Sequence, residues 1–67
     1  MAEIQISLAA ARVNAGLTQE DVAKKMKVTK QTIVNWEKGR TELKPAEFYM
    51  MCDMYGIPKD YIFLPRI

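Results

Sequence analysis

Histidine is missing from this chain. Its absence removes the commonest general base and the commonest zinc ligand. The one cysteine, Cys52, cannot close an internal disulfide, which favours a cytoplasmic protein. Cys52 has no imidazole to activate it and lies in an apolar helical pattern, so it reads as a core residue rather than a nucleophile. No glycine-rich phosphate loop, repeat or low-complexity stretch is present. No apolar run approaches the length of a membrane span, and no signal peptide is visible. These absences argue against an enzyme. They predict no cofactor, no metal, no small-molecule substrate and no membrane partner.

The 67 residues allow one domain, spanning 1–67, with a small core. A hydrophobic content of 49% belongs to a folded chain rather than a disordered one. Net charge is only +2, but it is unevenly spread. Residues 24–44 carry Lys24, Lys25, Lys27, Lys30, Lys38, Arg40 and Lys44 against Glu37 and Glu42, a net +5. Residues 1–23 stand at −2 and residues 45–67 at −1. A concentrated positive segment is what a polyanionic partner requires, although a solvated lysine-rich surface has the same composition.

Local pattern predicts five helices. Residues 3–7, EIQIS, alternate polar and apolar as a short strand does, though Ile4, Leu8, Ala11 and Ala15 also fit one helical stripe. The favoured reading is an extended start, Ser7 as N-cap, a first helix from Leu8 to Ala15, and Gly16 as its left-handed terminator. Thr18 and Asp21 form a capping-box pattern before a second helix with Val22, Ala23 and Met26 inward. Lys27 and Val28 turn the chain into a third helix, Lys30 to Lys38, closed by Gly39. Pro45 opens a fourth, to Tyr55, with Phe48, Met51, Cys52 and Tyr55 at core spacing and Gly56 at its end. Pro58 opens a short fifth helix to Phe63, and Leu64 to Ile67 form an extended tail.

The third helix is the most informative segment. At 100° per residue, Thr29, Thr32, Ile33 and Trp36 share one side, while Lys30, Gln31, Val34, Asn35 and Lys38 share the other. The first side can bury Ile33 and Trp36, which makes Trp36 core rather than a stacking platform. The second offers groups that can bond base edges in a DNA major groove. Ala23 supplies the small residue needed where two helices cross, and Val22, Met26, Val28, Ile33 and Trp36 are apolar where a helix-turn-helix must face its core.

Together with LTQ at 17–19 and WEKGR at 36–40, this pattern resembles the phage Cro and repressor family, also called the xenobiotic response element family. The resemblance covers nearly the whole chain and is strongest from Leu17 to Arg40. It implies an all-α, five-helix, lambda-repressor-like domain, with helices 2 and 3 as the helix-turn-helix and a short N-terminal strand. It implies that Lys30, Gln31 and Asn35 read bases. Val34 would touch a thymine methyl or be an ordinary exposed valine. Gln19 would meet a phosphate at the start of helix 2, where free N–H groups favour anions. Thr32, Lys38 and Arg40 would be phosphate contacts, with simple solvation as the alternative. Arg12 and Glu37 match an internal ion pair of related repressors. One residue departs from the family pattern: Lys27 stands where members often carry a turn glycine, at a cost of about 1 kcal/mol if it is left-handed.

The function expected is that of a Cro-like repressor on a double-stranded DNA operator, bound as a homodimer to two half-sites. The rival is a protein-interaction module of the same fold, such as an antitoxin or a coactivator-like member. Ile62, Phe63, Leu64 and Ile67 crowd the C-terminus, more apolar residues than a small core readily buries. They are the expected dimer interface, unless the tail folds back to cap its own core. The EIQIS segment could pair with that tail within one subunit or across two.

Overall fold

The structure, a computed structural model, describes residues 5–64. Helix α1 spans Leu8–Asn14, α2 Gln19–Met26, α3 Lys30–Lys38 and α4 Pro45–Tyr55. Each starts where a neighbour satisfies an orphan backbone N–H. Ser7 Oγ accepts from the Ala10 N–H at 3.0 Å. Thr18 and Asp21 complete a reciprocal capping box, with bonds of 3.0 and 2.9 Å. Thr29 Oγ1 accepts from the Thr32 N–H at 3.2 Å. A lysine side chain has no acceptor, so α4 is capped from the other direction. The Lys44 N–H donates to Glu47 Oε1 at 3.2 Å, and Pro45 fills the first helical position. Gly39 ends α3 at φ 73°, a left-handed backbone in which a side chain would be strained. Helix α1 stops at Asn14, one residue earlier than expected, because Ala15 serves as its C-cap.

The C-terminal part differs from the sequence reading. The fifth helix expected after Pro58 is a single 3-10 turn, Lys59–Tyr61. Ile62–Phe63 then form strand β2, which runs parallel to β1, Ile6–Ser7, with Ile6 opposite Ile62 and Ser7 opposite Phe63. Among the described residues, the five-helix, all-α expectation is therefore corrected to four α-helices, one 3-10 turn and a two-stranded parallel sheet. Backbone groups of Ile62 and Phe63 find partners on β1, which a helix this short could not supply. The Gln5 side chain reinforces the closure by donating to the Asp60 carbonyl at 3.1 Å. Ile6 and Ser7, at the end of the EIQIS segment, thus pair with Ile62 and Phe63 inside one subunit.

One core receives side chains from all four helices and from β2. Leu8, Val22, Ile33 and Met51 are wholly enclosed, and each stabilises the fold by about 1.5–3 kcal/mol. Ala23 is buried where α2 packs on α3, and Cys52 is buried as a free thiol. Met26, Val28 and Phe48 are half-buried against this core. Ile62, assigned from sequence to a subunit interface, instead turns into its own core at 4% exposure. Strand alternation explains why Phe63 then faces outward at 47%. Leu64 is 36% exposed, and Ile67 lies outside the described residues.

Candidate nucleic-acid interface

Helices α2 and α3 pack against each other through a turn of three residues, Lys27 to Thr29. Lys27 sits in the left-handed region at φ 59° and ψ 43°, the turn position at which the family resemblance implied a glycine. The Val28 N–H closes the turn onto the Ala23 carbonyl at 3.0 Å. Beyond it, Ile33 and Trp36 anchor α3 in the core. Lys30, Gln31 and Lys38 are exposed on its other side, and Val34 and Asn35 are half-buried there.

The outward groups have an internal order. Gln31 Nε2 donates to Asn35 Oδ1 at 3.0 Å, one helical turn away. This leaves the Gln31 oxygen and the Asn35 amino group to bond outward, an acceptor beside a donor. Lys30 Nζ lies 3.8 Å from Glu20 Oε1, and both side chains are more than half exposed, so a polyanion can displace this contact at little cost. Thr32 is half-buried and shares a hydrogen bond of 2.9 Å with the Thr29 hydroxyl. Arg40, just past the end of α3, is exposed. Lys38 and Arg40 have no ion-pair partner among the described residues.

A part-buried polar cluster lies beside this surface. Arg12 Nε is 2.7 Å from Glu37 Oε2, with the side chains 13% and 5% exposed. Arg12 Nη1 also donates to the Leu17 carbonyl at 2.9 Å. Gln19 Nε2 donates to Glu37 Oε1, again at 2.9 Å. The cluster joins α1, the loop before α2, the first residue of α2 and the last turn of α3. Next to it is an open cleft of about 640 Å3, whose lining includes Thr18, Gln19, Glu20 and Lys30. The first-turn N–H groups of Gln19 and Glu20 have no partner within the helix and can bond an acceptor, beside the carboxylates of Glu20 and Asp21 in the same turn. The Tyr55 hydroxyl is buried without a partner among the described residues. Burial pushes its ionisation upward, and the Glu37 charge pushes the same way.

A family model described as helix-turn-helix matches residues 8–62. The chain belongs to this helix-turn-helix family. It is also 38% identical over 48 residues to an uncharacterized HTH-type transcriptional regulator of Methanocaldococcus jannaschii, an alignment covering 72% of this chain and 73% of that one. No solved structure matches it significantly. Both findings point to a non-enzymatic DNA-binding regulator. Among the described residues, no group of three metal-ligating side chains lies together, and no helix is long and apolar enough to cross a membrane.

In this helix-turn-helix protein, the structure brings Lys30, Gln31, Val34 and Asn35 onto one face and puts Lys38 and Arg40 at one end of it. It also reveals two contacts the sequence did not announce. Glu20 approaches Lys30 across the turn, and Gln19 reaches Glu37 from another helix. Gln19 and Glu37 lie eighteen positions apart on different helices, so no period within one element links them. The weak signal available was chemical: a carboxylate at the edge of a buried face needs donors, and although the Arg12 fork reaches both Glu37 oxygens, at 2.7 and 3.5 Å, each keeps a lone pair for another donor.

Proposed function

We propose that this protein is a sequence-specific, double-stranded DNA-binding transcription regulator, a Cro-like repressor that reads the major groove with α3. The observation that carries the reading is the division of α3. Ile33 and Trp36 hold it in the core while Lys30, Gln31, Val34 and Asn35 stand together on the outside. Gln31 and Asn35 offer the donor and acceptor pair that adenine bonds, Lys30 suits guanine, and Val34 suits a thymine methyl. Gln19, Thr32, Lys38 and Arg40 grip backbone phosphates on either side. The +5 charge of residues 24–44 supports the same assignment.

A single small module buries limited surface on DNA, so the protein acts as a homodimer in the cytoplasm, with two copies of α3 roughly 34 Å apart. Exposed Phe63 and Leu64, at the C-terminal edge of the sheet, support that edge as the contact between copies. Random-site selection of bound duplexes followed by footprinting tests the proposal. The expected result is a palindromic site with half-sites one helical turn apart and strongly salt-dependent binding. Failure to enrich any sequence, together with a stoichiometric protein partner, would overturn it.

A further inference from the structure

Gln19 is the first residue of α2, and its side chain is already engaged. Its Nε2 lies 2.9 Å from Glu37 Oε1. A carboxylate only accepts hydrogen bonds, so the amide nitrogen, not the amide oxygen, must face Glu37. That settles which way round the carboxamide sits. One N–H is spent on Glu37, and the second remains for another acceptor. Glu37 is itself gripped. Its Oε2 takes the Arg12 Nε at 2.7 Å, and Arg12 Nη1 holds the Leu17 carbonyl two residues before Gln19. At 5% exposure and with both oxygens bonded, the carboxylate has little room to move.

We infer that Glu37 is a positioning residue of the DNA interface: it holds the Gln19 carboxamide in one orientation before the duplex arrives, so that the free N–H meets a backbone phosphate. The inference rests on the DNA-binding reading above. Immobilising a long, rotamer-rich side chain on binding weakens affinity by about twofold to tenfold, and a side chain ordered in advance avoids that loss. Glu37 belongs to the helix that reads bases yet acts through the helix that grips phosphate. One carboxylate therefore links the two kinds of contact. A residue that served the fold alone would leave the contribution of Gln19 to binding unchanged when removed.

A double-mutant cycle on the selected operator decides between these roles. Arg12→Met together with Glu37→Met removes the ion pair without leaving a lone buried charge, so the fold is kept. Gln19→Ala is then made in the native and in the double-Met background, and melting curves establish that all four proteins are folded at the binding temperature. Gln19→Ala is expected to weaken binding about threefold to tenfold in the native background and not measurably in the other. The side-chain amide of Gln19, followed by NMR relaxation in the free protein, is expected to be ordered in the native chain and mobile in the double-Met chain. Equal losses from Gln19→Ala in both backgrounds would overturn the inference, as would a mobile amide in the free native protein. If the native chain binds no selected duplex at all, the DNA-binding reading falls and takes this inference with it.

Discussion

Glu37 and Gln31 are both polar residues of α3, and the fold treats them in opposite ways. The Glu37 side chain is only 5% exposed, and Arg12 and Gln19 occupy its two oxygens. Gln31 stands in solvent and bonds only Asn35, one turn along the same helix. A buried carboxylate without donors costs several kcal/mol, so the inner face is bound by a satisfaction rule that the outer face escapes. The consequence is a division of labour. Substitutions on the inner face should register as lost stability, and those on the outer face as lost recognition.

The strongest way to break that comparison is Glu37→Ala. It leaves Arg12 with a buried, unpaired charge, and it should cost about 3–5 kcal/mol. For a domain this small, whose whole stability is of the order of 5 kcal/mol, that is nearly everything. Urea melts of Glu37→Ala, Arg12→Ala and the double variant should show clear coupling between the two positions. Additive effects would mean that the inner face is no more a network than the outer one.

Gln31→Ala and Asn35→Ala probe the other side. Each should cost about 1–3 kcal/mol on the preferred duplex and relax discrimination there. Neither should move the melting free energy by more than about 0.5 kcal/mol, since an exposed pair one turn apart contributes little. Titrations on matched and mismatched duplexes separate the cases. Losses of equal size on every sequence would remove base reading from this face. Lys38→Ala sharpens the contrast from within the same face. It should weaken all sequences alike and lower the salt slope by about one phosphate's worth.

The same inner and outer division governs how much could be read from sequence. The helix-turn-helix was legible because its determinants are local: Thr18 with Asp21, Thr29 with Thr32, and Gly39 are caps within one turn, and Ile33 and Trp36 follow helical spacing. Its outer residues needed no partners to be recognised. The sheet was only half legible. Alternation marked EIQIS as extended, but nothing near Ile62 announces that its backbone will pair with Ile6, 56 positions earlier. Local reading extended the turn after Pro58 into a helix and counted Ile62 among surplus apolar residues, where strand parity sends it inward. Gln19 was read for one role only, because its bond to Glu37 forms between helices rather than along one.

Lys27 tests the turn that joins the two helices. Its left-handed backbone costs a non-glycine residue about 1–2 kcal/mol, and glycine returns part of that gain through the greater freedom of its unfolded chain. Lys27→Gly should therefore raise stability by about 0.5–1 kcal/mol in denaturant melts. Its exposed charge is lost at the same time, so DNA affinity should not rise with stability. A variant that became more stable and also bound more tightly would contradict the separation of the two properties.

The smallest effect expected belongs to a cap on the outside of α2. Asp21 accepts the Thr18 N–H at 2.9 Å, and this bond, the Thr18 hydroxyl contact and the charges of Lys24 and Lys25 hold its carboxyl below the ordinary aspartate range. A carboxylate with a depressed pKa binds fewer protons in the folded state than in the unfolded one. Its contribution is therefore present above the unfolded value and lost as pH falls through the folded one. Asp21→Asn should melt below the native protein at neutral pH. The gap should narrow as the pH drops below the ordinary aspartate range and close once the folded carboxyl is protonated. A gap for Asp21→Asn that stays constant down to acid pH would mean that the carboxylate charge contributes nothing, and that the cap works through its oxygen alone.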